Sequence, residues 1–280
     1  MMDTGEQAMN PGGLSVSVVV FRPDPAQLTQ TLATLAEAIS CLRRDTPVPV
    51  AVYLVDNGGL PDVVADVSRL TQSGASCAVI AGQGNVGYGR GHNLAIDQAT
   101  SAYHLVLNPD IDLDAQALAE ALTFLAAHPE AGLLAPRIGE DGGGLQYLCR
   151  RYPTVLDLFA RGFLPARWRK PFARRLAAYE MRDVINERDI VWDPPIISGC
   201  FMLFRTDVLK RLKGFDERYF LYFEDYDLSL RAHELARVVY VPAVRVQHHG
   251  GGAARKGFAH IKMFAASAFK FFGRFGWKWL

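Results

Sequence analysis

The sequence predicts an α/β fold: a doubly wound, Rossmann-like and mostly parallel sheet with helices on both faces. Three observations predict it. Short β-branched apolar runs alternate with segments of helical periodicity through the first half of the chain, the pattern of parallel strands joined by crossover helices. Successive strand ends carry Asp56, a glycine-rich loop and Asp110, at the edge where such sheets bind ligands. The 280 residues, 50% of them hydrophobic, can bury one large α/β domain or two intimate halves.

Taken in order, residues 1–13 read as a disordered leader. Ser15 to Phe21 is an apolar β-branched run bounded by Arg22-Pro23-Asp24-Pro25, a buried strand. Leu28, Leu32, Leu35 and Ile39 come next at helical spacing. Val50 to Asn57 is the second strand, ending in Asp56, and Asp62 to Leu70 the next helix. Ser76 to Gly82 runs into the glycine loop, and the two glycines Gly89 and Gly91 delay the following helix to His92–Ala99. Tyr103 to Asp110 is the fourth strand, and Ala115 to Ala127 is helical.

The second half begins with a glycine turn at 139–144 and a basic run, in which Arg150, Arg151, Arg161, Arg167, Arg169, Lys170, Arg174 and Arg175 face a lone acid, Asp157. Then come IISGCFMLFRTDVL, GFDERYFLYFEDYDLSLRAHEL and the strand RVVYVPAVRVQHH, before an aromatic and basic ending, FKFFGRFGWKWL. The chain therefore divides into 1–13, 14–138, a connecting segment 139–192, 193–253 and 254–280 within one domain.

Lys plus Arg total 30 and Asp plus Glu 29, a net charge of +1 that gives no footprint for nucleic acid. Four scattered cysteines form neither a disulfide framework nor a zinc pattern, as expected in a reducing cytosol. The first residues carry acids where a secretory signal would carry bases, and no apolar run reaches the roughly 20 residues that span a bilayer. A cytoplasmic protein is the expectation. The basic run and the aromatic ending suit an anionic membrane surface, with a plain solvated basic face as the alternative.

Four segments carry chemistry. GQGNVG (Gly82 to Gly87) matches the dinucleotide fingerprint, but it lies after the third strand rather than the first, and the delayed helix departs from that motif. Five glycines in ten residues suggest close backbone approach to a ligand. LNPDID (Leu107 to Asp112) offers two hard carboxylates to Mg²⁺ or Mn²⁺. It equally reads as an Asx-Pro-Asp turn in which Asp112 or Asp114 caps the next helix. FEDYD crowds Glu224, Asp225 and Asp227 beside aromatics, which can tune a general base; acids also favour a helix N-terminus. His248-His249 ends a strand beside three glycines, where an imidazole can reach a metal or be purely structural.

These blocks, in this order, resemble glycosyltransferase family 2, of GT-A fold, and especially its rhamnosyltransferase-like members. VDN (Val55 to Asn57) is similar to the family's nucleotide-contacting strand end, and NVGYGRGHNLAI (Asn85 to Ile96) to its glycine loop. LNPD stands where its D-x-D motif stands, and SGCFMLFR through VQHHGGGA resembles its acceptor half. The resemblance covers roughly residues 14–253. It implies a nucleotide-sugar half (14–138) and an acceptor and base half (193–253). Asp56 and Asn57 would meet the nucleoside, and Asn85, Gly87, Gly89, Gly91, Asn93 and Asn108 would line the nucleotide-sugar. Asp110, with Asp112 and His248, would hold Mg²⁺ or Mn²⁺, and Asp225 would be the catalytic base.

The reaction implied by the resemblance is an inverting transfer of a sugar to a hydroxyl of a glycan or lipid-linked acceptor in bacterial surface polysaccharide or O-antigen assembly. The donor expected is dTDP-L-rhamnose; a UDP-sugar transferase or a non-catalytic nucleotide-sugar-binding homologue are the alternatives. Nucleotidyltransferases share such a crevice but carry a basic glycine loop after the first strand, which Phe21-Arg22-Pro23 does not supply. Three departures stand out. Phe-Arg-Pro replaces the usual Thr-Tyr-Asn, Gly58-Gly59 replaces a serine-containing turn, and Ala253 stands where serine is common. They bear on donor preference, since none touches the metal or the base.

Overall fold

The computed structural model describes residues 10–45, 47–140, 143–249 and 258–280. Gly250 to Ala253, like most of the leader, lie outside the described residues. The first half alternates as expected: β1 (Asn10–Val20), α1 (Pro25–Asp45), β2 (Val50–Asp56), α2 (Val64–Gln72), β3 (Ala75–Ile80), α3 (Tyr88–Gln98) and β4 (Ser101–Leu107). Next along the chain are β5 (Ile111–Leu113), α4 (Ala117–Ala127), β6 (Ala131–Gly139), α5 (Val155–Phe163), α6 (Ala166–Arg169) and α7 (Ala173–Tyr179). The last group is β7 (Val191–Trp192), β8 (Phe201–Arg205), α8 (Thr206–Arg211), α9 (Glu224–Ala232), β9 (Arg237–His248) and α10 (Phe258–Phe275).

The strands form one sheet in the order β3-β2-β1-β4-β8-β6-β9-β5, with β7 paired to β9. β3, β2, β1 and β4 are parallel, as crossover helices require. The other half is mixed: β8 runs antiparallel to both β4 and β6, β9 parallel to β6, and β5 antiparallel to β9. The parallel expectation thus describes the first half. β8 and β9 enter after the helical insertion α5–α7 and are not built from β-α-β units.

One apolar layer packs Leu28, Leu32, Leu35 and Ile39 of α1 and Leu118 and Leu125 of α4 against one face of the sheet. Ile96 of α3, Leu209 of α8 and Leu228 of α9 cover the other face. A third cluster joins Leu158 and Tyr179 to Tyr219, Phe223, Phe271 and Phe272, so α10 packs on the segment leading into α9. A chain of buried polar groups runs through the first half and ends at His92, whose Nε2 has no partner. Ser101 donates to Ser15 (2.7 Å), and His104 lies between Ser15 and Ser17 (2.7 and 2.9 Å), with Ser17 also bonded to His92 at 2.7 Å. Burial lowers both imidazoles, His104 to about 3, so this chain of bonds is uncharged.

Three boundaries depart from expectation. β1 starts at Asn10, inside the stretch read as a leader. β5 is new; its three residues pair with the end of β9. α3 starts at Tyr88 rather than His92, with Gly89 and Gly91 inside it. Helix propensity loses there to packing: a Cβ on Gly89 would lie 2.7 Å from Phe215 Cβ, and one on Gly91 2.9 Å from the Val19 methyls.

Candidate active site

Parallel register brings the ends of β1, β2 and β4 to one edge, pairing Val20 with Asp56 and Val18 with Leu107. Asp56 Oδ1 accepts the N–H groups of Gly58 (2.7 Å) and Leu60 (3.2 Å), which fixes the carboxylate and the turn after it. The Phe-Arg-Pro and Gly-Gly departures prove to be one feature. Arg22 N–H donates to Gly58 O, and Cβ atoms on Gly58 and Gly59, both at positive φ, would fall 3.4 Å from Phe21 and Arg22. Phe21 is left half exposed beside Asp56, with the Arg22 guanidinium 5.4 Å from its ring centre.

The glycine loop departs from the role expected of it. Gly87, Gly89 and Gly91 are buried against protein: Cβ atoms would collide with the Phe220 carbonyl, Phe215 and Val19 respectively. The Tyr88 N–H at the start of α3 donates to Phe220 O (3.0 Å). Asn93 is likewise committed to structure, its amide exchanging two 2.9 Å hydrogen bonds with the Phe215 backbone. Buried Asn57 donates to Gly87 O at 2.9 Å, while its Oδ1 has no partner. Asn85 is exposed and accepts the Gly87 N–H in a tight turn. These residues clamp the 215–220 segment onto α3. Only the tip, Gly82 to Asn85, faces open space, with no atoms within 4 Å of a Cβ on Gly82 or Gly84.

At the end of β4, Asn108 N–H donates to Cys200 O (2.9 Å), which ties the LNPD turn to the start of β8. His248 Nε2 lies 3.5 Å from Asp110 Oδ2, and its Nδ1 is 2.9 Å from Gln146 Oε1. Burial pushes the Asp110 carboxyl up, but His248 and Asn108 outweigh it and hold it below the usual range. Asp112 sits instead with His249, at 2.9 Å. The three predicted ligands are therefore not one set: the structure joins Asp110 to His248 and gives Asp112 a different histidine, because β5 pairs with β9 in register. No three His, Cys, Asp or Glu side chains converge as a metal cluster among the described residues. A divalent ion nonetheless fits the donor set. Asp110 Oδ1 and Asn108 Oδ1 are buried without partners, and Gln146 orients the imidazole so that Nε2 faces Asp110. Mg²⁺ and Mn²⁺ sites commonly use only one or two side chains and leave the rest to phosphates and water. Asp114 is not the cap expected of it: α4 begins at Ala117 with Gln116 as its N-cap and no side-chain cap bond, and Asp114 Oδ1 accepts the Gln116 N–H in the turn before the helix.

The three acids of FEDYD have three environments. Tyr222 and Phe223 take consecutive left-handed conformations (φ 71 and 66) and turn the chain abruptly into α9. Ser267 of α10 donates to Leu221 O (2.8 Å), and His260 bonds the Tyr222 hydroxyl at 2.9 Å, so α10 braces this turn. Asp225 comes just after it, its Oδ2 accepting the Gly199 N–H and its Oδ1 the Tyr226 N–H, both at 2.9 Å. Burial raises the Asp225 carboxyl despite these bonds and despite nearby Arg150. Asp227 is fully buried and paired with Arg231 and Arg274, which makes it a structural acid. Glu224 is buried with Oε2 unpartnered.

Sequence reasoning passed over two residues that join these parts. Tyr88 donates to Gly199 O at 2.6 Å, and its phenol is driven well up by burial and then by Cys200, Glu224, Asp225 and Asp110 around it. A Cβ on Gly199 would lie 3.2 Å from that of Asp225, so a side chain there would require Asp225 to shift by a few tenths of an ångström. The SGC segment flanking β8 was the available signal. A cleft of about 480 Å³ beside Phe124, Ile190 and Arg245 holds none of these residues.

The chain matches the profile of Glycosyl transferase family 2 over residues 28–213. It is 31% identical over 255 residues to N-acetylglucosaminyl-diphospho-decaprenol L-rhamnosyltransferase of Mycobacterium tuberculosis, covering 84% of this chain and 76% of that protein. It is 26% identical over 223 residues to rhamnosyltransferase WbbL of Escherichia coli, covering 74% and 78%. Its fold resembles Staphylococcus aureus TarS 1-349 in complex with UDP (TM-score 0.55, 16% identity, 92% of this chain and 65% of that one). GalNAc-T7 with UDP, GalNAc and Mn2+ is similar in fold as well (TM-score 0.59, 12% identity, 85% and 43%). The chain belongs to glycosyl transferase family 2, and its fold is the GT-A fold expected.

The division of labour among the acids can be tested through stability. Asp227→Ala leaves Arg231 and Arg274 without their buried carboxylate and should cost about 3–5 kcal/mol in urea unfolding. A loss below about 1 kcal/mol would contradict the structural role.

Proposed function

We propose that this family 2 glycosyltransferase is an inverting rhamnosyltransferase, moving L-rhamnose from dTDP-L-rhamnose to a hydroxyl of a lipid-linked glycan in bacterial surface polysaccharide assembly. One observation carries the catalytic part: the Gly199–Cys200 main chain is hydrogen-bonded on one side to Asp225 and on the other to Asn108 of the LNPD turn. A diphosphate at Asp110 and a hydroxyl at Asp225 then lie on two sides of one strand end. The sugar and acceptor are taken from the two rhamnosyltransferase relatives, one of which is named for N-acetylglucosaminyl-diphospho-decaprenol.

In this reading Asp225 removes the acceptor proton, and the alkoxide attacks the anomeric carbon opposite the leaving diphosphate, with inversion. Two backbone N–H donors fix the carboxylate's orientation, and burial strengthens it as a base. Its carboxyl is raised above the ordinary range, so the active, ionised form is lost as pH falls through that raised value. Asp110 and His248 would hold Mg²⁺ or Mn²⁺, with Asp112 outside the first set of ligands. When bound, the ion supplies Lewis-acid neutralisation of the departing diphosphate. Asp56 would receive the nucleoside beside half-exposed Phe21.

A lipid-linked acceptor calls for a membrane surface, and one face of the chain suits it. Phe159, Phe163, Trp168, Phe269, Trp277 and Trp279 are exposed aromatics. The backbone of α5 bonds to residues 278 and 279, which holds two of these groups on neighbouring segments. Arg151, Arg161 and Arg175 are consumed by ion pairs with Asp183, Glu180 and Asp157, but Arg167, Lys170 and Arg174 make no ion pair among the described residues. No helix among the described residues is long and apolar enough to cross a membrane. Aromatics beside Arg and Lys favour docking on an anionic inner leaflet instead.

Asp225→Asn should lower kcat for rhamnosyl transfer by about 10²–10⁴-fold with the fold intact by circular dichroism. A change of only a few-fold would remove Asp225 as the base. With Mn²⁺ present, dTDP at about 100 times its Kd should stabilise the protein by roughly 2.7 kcal/mol, and EDTA or Asp110→Asn should abolish most of that gain. An equal gain with EDTA overturns the metal assignment, and a larger gain with UDP than with dTDP overturns the donor. In flotation, the protein should rise with vesicles containing phosphatidylglycerol and not with pure phosphatidylcholine; Trp277→Ala with Trp279→Ala should reduce recovery. Equal recovery on both lipids would refute anionic docking.

A further inference from the structure

Glu224 differs from the other two acids of its segment. Asp227 is neutralised by Arg231 and Arg274, and Asp225 takes two backbone N–H groups, but Glu224 is 5% exposed with its Oε2 buried and without a hydrogen-bond partner. No cation forms an ion pair with it among the described residues. The left-handed pair Tyr222–Phe223 forces it inward, since Phe223 is the residue from which α9 starts. The titratable groups around it come from every neighbouring element. Asp225 stands beside it on α9 and Tyr88 faces it from α3. Tyr222, on the turn, has its hydroxyl bonded to His260 of α10. Arg150 faces Asp225 rather than Glu224. Two adjacent carboxyls in such a place share one negative charge. Burial, and then the charge on Asp225, push the Glu224 carboxyl up to about 8, opposed only by its own backbone N–H.

We propose that Glu224 keeps the proton of the Glu224–Asp225 pair and donates it, as a hydrogen bond, to an acceptor-sugar oxygen neighbouring the hydroxyl that Asp225 deprotonates. The inference rests on Asp225 as the base. No bond to this proton breaks: it remains on Glu224 throughout, and Asp225 stays ionised because its neighbour is neutral. An unpartnered buried hydroxyl is a cost that an arriving sugar oxygen removes, so Glu224 selects an acceptor with a free oxygen at that place.

The test uses the full chain with dTDP-L-rhamnose and N-acetylglucosaminyl-diphospho-decaprenol between pH 6 and 10. Wild-type transfer should fall roughly fivefold between pH 8 and pH 9 as Glu224 ionises. E224Q, whose amide donates but does not titrate, should be roughly three- to tenfold slower at pH 7 and lose that alkaline fall. E224A should raise the acceptor KM about tenfold or more. Infrared titration without substrates reads the proton directly. A protonated-carboxyl C=O band should be present at pH 7, disappear through about pH 8, be absent from E224Q and persist in D225N. A band that persists in E224Q and vanishes in D225N, or no band at all, overturns the proposal, as does an unchanged alkaline fall in E224Q. Near-normal transfer by D225N would defeat the base assignment instead, and the infrared band would still decide where the proton sits.

Discussion

The short stretch of main chain at Gly199–Cys200 is the constraint on which the rest of the site depends. Its N–H holds Asp225, its first carbonyl takes the Tyr88 hydroxyl, and its second takes the Asn108 N–H. Three segments more than a hundred residues apart in places are therefore indexed to two consecutive peptide units at the head of β8. A Cβ at 199 would touch the Tyr88 ring and lie 3.2 Å from the Asp225 Cβ, so a larger residue there would displace Asp225. Because β8 lies directly beside β4 in the sheet, the acid-bearing turn after β4 and the acid-bearing helix α9 cannot move independently.

The glycines of α3 belong to the same construction. They bring α3 close enough to the 215–220 segment for Tyr88 N–H to reach Phe220 O and for Asn93 to hold Phe215 by both ends of its amide. The site is a set of backbone contacts between the two halves, with the chemical side chains mounted on it. A glycine-rich loop read from sequence suggests room for a ligand; here most of that room is filled by the other half of the chain.

The first half of the fold was legible because strand and helix periods alternate cleanly and burial alone decides each element. The acids at strand ends were legible too, since topology places every such end on one edge. What was not legible depended on pairing between distant segments. Nothing in LNPDID says that β5 will pair with β9, and that pairing is what sends Asp112 to His249 while Asp110 keeps His248. The start of α3 was misplaced for the same reason: local propensity argues against Gly89 and Gly91 in a helix, and only Phe215 and Val19, distant in sequence, explain them. Among the three acids of FEDYD, residue chemistry alone does not separate the roles and only the family resemblance singles out Asp225; Arg274 of α10 and Gly199 before β8 are what make Asp227 structural and Asp225 oriented.

α10 shows how far the site extends beyond the family's matched region, which ends at residue 213. Its inner side carries Phe271 and Phe272 into the cluster with Tyr219 and Phe223, and Ser267, His260, Lys270 and Arg274 each grip the 216–227 segment. The left-handed turn at Tyr222–Phe223 is strained, and strain of that kind persists only where surrounding contacts over-determine it. α10 supplies many of those contacts. Phe269 on it, and Trp277 and Trp279 beyond it, are exposed, and they belong to the face proposed to meet a membrane. One helix therefore holds the geometry of the two adjacent carboxyls and, in the proposed reading, would border the surface from which a lipid-linked acceptor arrives. Displacement of α10 would release the turn and with it the placement of Glu224 and Asp225, so in the proposed reading acceptor delivery and base geometry would share a single structural element.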